Sequence, residues 1–162
     1  MELMKISNSG LNLIKKFEGC KLVAYKPVPT EKYWTIGYGH YGSDVTKGMV
    51  ITQNRAEELL KRDITPIERT LNSLCINFTQ NAFDSLVSWI YNLGMTNFNS
   101  STMKRYILSK KSDVEITDQM IKWHNSNGKP LLGLKKRRVA EANMWLGYEG
   151  YFVDASGNIK KK

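Results

Sequence analysis

The stretch FEGCKLVAYKPVPTEKYWTIGYGHYG, residues 17–42, decides how the rest of the chain is read. Its two halves, 20–26 and 33–41, are rich in β-branched and aromatic residues. Turn formers surround them: Pro27, Pro29, Gly37, Gly39 and Gly42. That pattern predicts a small hairpin or meander. Upstream, Ser7 or Ser9 can cap a short helix over 7–18, with Leu11, Ile14 and Phe17 recurring at helical spacing and Gly19 ending it. Downstream the period changes. Thr52 can cap a helix through about Ile64, and Pro66 starts another short one. Thr79 opens an apolar helix carrying Phe83, Leu86, Val87, Ile90 and Leu93, which Gly94 closes. Helical patterns follow near 100–109, 115–124 and 132–146. The β signal is confined to roughly residues 20–50, so the fold class is α+β.

Composition bounds the function. The chain has 162 residues, 41% of them hydrophobic and 24% charged, as in an ordinary globular protein. Lys and Arg outnumber Asp and Glu, 24 to 15, for a net charge of +9. Such a balance points to a polyanionic partner: nucleic acid, an anionic membrane surface or an acidic wall polymer. Residues 85–103 are the longest uncharged stretch, and Ser88, Asn92, Gly94, Asn97 and Asn99 make it too polar to span a membrane. The first residues carry no basic segment followed by an apolar run, so no secretory signal is expected. Cys20 and Cys75 lack CxxC spacing, and His40 and His124 stand alone, so neither a metal nor another cofactor is expected.

Three features bear on chemistry. Glu18 sits at the C-terminal end of the first predicted helix, beside Phe17. The helix dipole and desolvation both favour its protonated form, which suits a general acid. A solvated glutamate at a helix end is the plainer reading. In YWTIGYGH, alternation puts Thr35 with Gly37 and Gly39 on one side. A hydroxyl beside such a strip can hold a water, or the segment is simply a twisted hairpin. Lys135, Lys136, Arg137 and Arg138 form a basic run. Four consecutive helical residues do not share a face, so this reads as a solvated surface with Arg137 or Arg138 paired to Glu141.

These residues together resemble the phage-type lysozymes, the glycoside hydrolase family of T-even phage lysozyme. The likeness rests on Phe17-Glu18-Gly19, Ala24-Tyr25-Lys26, Thr35 through His40, Gly42, Ile51-Thr52 and Ala56-Glu57. In the second half it rests on Asn92-Leu93-Gly94, Phe98, Ser100-Ser101-Thr102, Trp123, Gly133-Leu134, Arg137-Arg138 and Glu141. The Val-Pro-Thr-Glu-Lys stretch is shared with endolysins of short-tailed Bacillus phages. The resemblance implies one lysozyme domain over 1–162. Its β-containing lobe would cover about 18–50, and its helical lobe about 65–147 with the 7–18 helix. The cleft would lie between the lobes. Residues 148–162 lie beyond the resemblance; their lack of helical periodicity, with Gly147, Gly150, Gly157 and three terminal lysines, predicts a loosely packed tail.

It further implies a muramidase that cleaves the β-1,4 bond between N-acetylmuramic acid and N-acetylglucosamine in peptidoglycan, for host-cell lysis. Glu18 would be the general acid, and Thr35 would place the attacking water. Tyr41, Tyr91, Asn92 and Ser101 match glycan-contacting positions. The expected partners are peptidoglycan and anionic wall polymers, with no nucleic acid and no integral membrane segment. A monomer is expected, held in the host cytoplasm until lysis. One departure stands out. The family's second catalytic group, usually an aspartate, would fall at Pro27 counted from Glu18 or at Pro29 counted back from Thr35. Neither proline can act as a base. Glu31 is the only carboxylate in that loop and is the replacement candidate, ahead of Asp44. Without a replacement, the alternative is a catalytically weakened wall-binding protein of the same fold.

Overall fold

The computed structural model describes residues 2–162, and Met1 lies outside them. Helix α1 (Asn8–Glu18) leads into a three-stranded sheet of β1 (Lys21–Tyr25), β2 (Trp34–Gly37) and β3 (His40–Gly42). Then come α2 (Gln53–Ser73), α3 (Gln80–Leu93), α4 (Met95–Ser100), α5 (Thr102–Leu108) and α6 (Asp113–Met120). A short hairpin of β4 (Asn125–Ser126) and β5 (Lys129–Pro130) precedes α7 (Leu132–Leu146). The hairpin of β6 (Tyr151–Val153) and β7 (Ile159–Lys161) follows it. This is the α+β arrangement expected, with a small sheet lobe and a larger helical lobe.

The caps lie where side-chain chemistry put them. Ser7, Thr52 and Thr79 each accept a backbone N–H from the first turn of α1, α2 and α3. Gly19, at φ +67°, ends α1 and turns the chain into β1. The sheet is antiparallel in the order β1-β2-β3, with Tyr25 opposite Thr35 and Thr35 opposite Tyr41. Ala24 and Ile36 face a small core with Val45 and Leu59, backed by Trp34. Since side chains alternate along a strand, Tyr25 and Thr35 point to the other face.

The main core surrounds α3. Every residue from Ala82 to Ile90 is buried, so this helix runs through the middle of the helical lobe. Helix α1 comes close to it because Gly10 has no side chain: a Cβ there would lie 2.8 Å from the Asp84 Cβ. Asp84 in turn accepts the backbone N–H of Ser7 at 2.9 Å and the Ser7 hydroxyl.

Two expectations need correction. Pro66 does not start a new helix. Helix α2 runs unbroken from Gln53 to Ser73 with Pro66 inside it. An interior proline costs about 3 kcal/mol, but Ile64, Ile67 and Leu71 bury the same face across it and keep the two halves in line. The segment after Gly147 is not loosely packed either. The β6–β7 hairpin pins Tyr151 at 2% exposure. The Tyr151 hydroxyl donates to Asp118 Oδ1 at 2.6 Å, and its backbone N–H donates to Asn143 Oδ1 at 3.0 Å. No periodicity marks a three-residue strand whose anchor is a single aromatic.

Candidate active site

Glu18 is the last residue of α1, and three separate elements close around its carboxyl. From α7, Arg137 Nη1 donates to Glu18 Oε2 at 2.6 Å, with the arginine side chain 4% exposed and the glutamate 19%. Between β2 and β3, Gly39 passes directly beneath it. A Cβ at Gly39 would stand 2.7 Å from Glu18 Oε1, and the backbone there has φ +82°. Only glycine meets both conditions. From α3, the Tyr91 hydroxyl donates to the Tyr38 carbonyl and fixes the same turn. Burial, then the charges of Glu18 and Asp63, push the Tyr91 phenol far above its ordinary value, so it stays a neutral donor.

Arg137 owes its position to a buried polar cluster. Glu141, one turn further along α7, is fully buried. It pairs with Arg137 Nε at 3.3 Å and with Arg138 Nε at 2.6 Å. The Ser88 hydroxyl of α3 donates to the Glu141 carboxylate, and the Ser88 carbonyl accepts from Arg137 at 3.2 Å. Arg138 reaches the Trp123 carbonyl at 3.3 Å. The solvated-surface reading is therefore corrected for Arg137 and Arg138, whereas the expected pairing with Glu141 is present and Lys136 is exposed. Arg137 and Arg138 are 3% and 0% exposed. Small serines on the facing side of α3 leave room for two guanidinium groups, a feature one helix's periodicity does not reveal.

The other expected residues distribute unevenly. Thr35 is buried at mid-sheet on the face turned away from the small core. Tyr41, opposite Thr35, is 48% exposed. With Gly39, Asp63, Ile90 and Tyr91 it lines a groove of about 390 Å³ beside Glu18. Its hydroxyl accepts the Tyr33 backbone N–H at 3.3 Å, and the two rings lie 5.4 Å apart. Asn92, next to Tyr91, keeps its carbonyl oxygen buried with no partner among the described residues. Ser101 does not join them. It is 1% exposed, and its hydroxyl caps α5 and donates to Phe98.

Glu31 sits on the β1–β2 loop, with its backbone N–H held by the Val28 carbonyl at 3.0 Å. Its Oε2 is shielded from solvent and lacks a hydrogen-bond partner among the described residues. The negative charges of Glu18 and Glu31 both reach the Tyr25 phenol, which burial and those charges raise above its ordinary value. Asp44 is otherwise engaged: it binds His40 Nε2 at 2.9 Å.

His40 was not foreseen as a pH-sensitive group. Its Nδ1 meets Asp63 of α2 at 2.7 Å, which ties the sheet to the long helix. The hydrogen bond to Asp63, then that to Asp44, holds the imidazolium up to about 9 against the opposing effect of burial. Because the folded value lies above the unfolded one, the pair stabilises fully below about pH 6.5. That contribution, at most about 3 kcal/mol, is lost as pH rises through about 9. Thermal melts of the parent and Asp63→Asn should differ most near pH 6 and converge by pH 9.5. A pH-independent gap would refute the assignment.

The Phage lysozyme family model matches residues 15–141. The chain belongs to the phage lysozyme family. Among its relatives, the endolysin of Bacillus phage B103 is 46% identical over 144 residues, covering 88% of this chain and 54% of that protein. The chain spans about half the length of the first curated relatives it matches. The muramidase domain of SpmX from Asticaccaulis excentricus superposes with a TM-score of 0.79 at 35% identity, over 88% of this chain and 97% of that one. An endolysin from the Escherichia coli O157:H7 phage FAHEc1 gives 0.78 at 36%, over 90% and 95%. The family match spans both lobes and includes Glu18, Thr35, Arg137 and Glu141. Among the described residues, no helix is long and apolar enough to cross a membrane.

Proposed function

We propose that this phage lysozyme family chain is a muramidase that hydrolyses the β-1,4 bond between N-acetylmuramic acid and N-acetylglucosamine in peptidoglycan, for host-cell lysis. The observation that carries it is the Glu18 carboxyl, locked by Arg137 against a side-chain-free turn at the edge of an open groove. A proton donor so fixed can reach the glycosidic oxygen of a strand lying in the groove. Glu18 acts as the general acid and protonates the leaving N-acetylglucosamine oxygen. Thr35 holds the water, and Glu31 takes its proton as that water attacks the anomeric carbon from the opposite side. The outcome is inversion, which requires room for the water between the carboxyl groups. Tyr41, Tyr91 and Asn92 contact the glycan.

The reading includes a single lysozyme domain over 1–162, acting as a monomer on the cell wall after being held in the host cytoplasm until lysis. The +9 charge keeps the enzyme on anionic wall polymers, an attraction that salt screens.

The test is digestion of purified peptidoglycan. New reducing ends should appear, and borohydride should convert them to muramicitol. Glucosaminitol in its place would mean cleavage of the other bond. Co-sedimentation with the wall and no reducing ends would mean a wall-binding protein without catalysis. Glu31→Gln should lower turnover on the order of 100-fold, the usual range for losing a general base, with an unchanged melting temperature. Unchanged turnover would remove Glu31 from the mechanism.

A further inference from the structure

One edge of the small sheet is apolar and turned to water. Val23 of β1 faces Val50 across an antiparallel bridge. One residue to either side, the Ala24 N–H donates to the Met49 carbonyl and the Ile51 N–H to the Leu22 carbonyl, both at 2.9 Å. Those bonds make Val23 and Val50 a non-hydrogen-bonded pair, the arrangement that brings opposing side chains closest. Ala24 and Ile51 pack into the small core, so the two valines point outward. They are 55% and 69% exposed. Leu22 and Met49, beside them on the other face, are exposed as well. Both faces of this edge are therefore apolar and wet, which makes a ridge and not a groove. Lysines flank it: Lys21 precedes Leu22, and Lys47 lies two residues before Met49. Both are exposed, and neither pairs with a carboxylate among the described residues. The nearest acid in sequence to Lys47, Asp44, is taken up by His40.

We propose that this ridge docks the protein peripherally on an anionic lipid surface. Leu22, Val23, Met49 and Val50 enter the boundary between headgroups and acyl chains, while Lys21 and Lys47 meet the lipid phosphates. Charge and apolarity together select this occupant. A phosphate-rich wall polymer would use the lysines but gain nothing from four wet apolar side chains. A second copy of this chain seated on the same face would bring the flanking lysines toward one another, and like charges repel. An anionic bilayer rewards both features at once. Large exposed apolar side chains rimmed by charge are what interaction surfaces present. The contact needs no spanning helix, because it reaches only the interface. The inference is independent of the muramidase reading, since the ridge holds none of the residues given a role at the glycan.

Co-sedimentation with vesicles tests it, using phosphatidylglycerol-rich vesicles against pure phosphatidylcholine. The parent should partition onto the anionic vesicles and not onto the neutral ones. Val23→Ser with Val50→Ser should lower that partition about tenfold, because the apolar area entering the boundary is lost. Lys21→Gln with Lys47→Gln should lower it about 25-fold, roughly fivefold for each lysine near the surface. Lys110→Gln with Lys136→Gln removes the same charge from exposed positions elsewhere and should stay within about twofold of the parent. Every variant should melt with the parent and release reducing ends from soluble peptidoglycan fragments at the parent's rate. Three results overturn the inference. One is a parent that ignores anionic vesicles. Another is a valine variant that partitions like the parent, which leaves attraction by charge alone, as for a wall polymer. The third is an equal loss in both lysine variants, which makes the attraction one of net charge. A parent that sediments as a dimer dissociated by the valine changes would also overturn it, in favour of a second copy. None of these results bears on reducing-end release, so the muramidase reading stands or falls separately.

Discussion

Glu18→Gln should abolish reducing-end release from peptidoglycan while the protein stays folded. The substitution changes one oxygen to an amide nitrogen and removes the only proton the carboxyl could deliver. Loss of a general acid costs about 10²- to 10⁴-fold in turnover, or about 3–5 kcal/mol of transition-state stabilisation. Two observations say the fold survives. Glu18 is 19% exposed at a helix end, so a neutral amide there stays near water. Arg137 keeps its second partner, Glu141, and its contact with the Ser88 carbonyl. Circular dichroism and a thermal melt should therefore match the parent within a few degrees, while reducing ends fall to background. Residual activity above about a tenth of the parent would mean that protonation of the leaving oxygen comes from elsewhere.

Glu141→Gln has the opposite character and should be strongly destabilising. Glu141 is fully buried and pairs with two guanidinium groups, one of them at 0% side-chain exposure. Removing its charge leaves Arg138 in a desolvated site without an anion. Breaking a buried pair from one side costs about 3–5 kcal/mol, because the stranded charge remains. For a chain of this size that corresponds to a melting temperature lower by about 10 °C. Activity should fall as well, since Arg137 reaches Glu18 from the same cluster. Lys162→Ala, which removes an exposed pair with Glu149, is the control and should leave the melt unchanged. If Glu141→Gln melts with the parent, the cluster is not an energetic centre of the fold.

Much of this was legible in the linear sequence. Gly19, Gly39 and Gly94 marked turns that the backbone makes at positive φ, and Ser7, Thr52 and Thr79 marked helix starts. These signals are local: a cap or a left-handed turn is decided within four residues. Glu18 and Thr35 stand out as candidates because the motifs that carry the family resemblance surround them. What failed was also of one kind. Pro66 was read by its local preference, which packing of Ile64, Ile67 and Leu71 overrode. Helical spacing gives the pairing of Arg137 and Arg138 with Glu141 but says nothing of the facing helix that buries them.

The sequence by itself determined the α+β class, the order of sheet lobe before helical lobe, and the family. Each follows from short-range periodicity, turn chemistry or motif identity. Only the tertiary structure decided that Arg137 locks Glu18 across 119 positions of chain. It alone showed that Arg137, Arg138 and Glu141 are buried together and that Tyr25 pairs opposite Thr35 in the sheet. The physical reason is that burial and ion pairing depend on what the opposing element brings. Those partners lie far away in the chain and meet only when α7 packs on α3 and β1 pairs with β2.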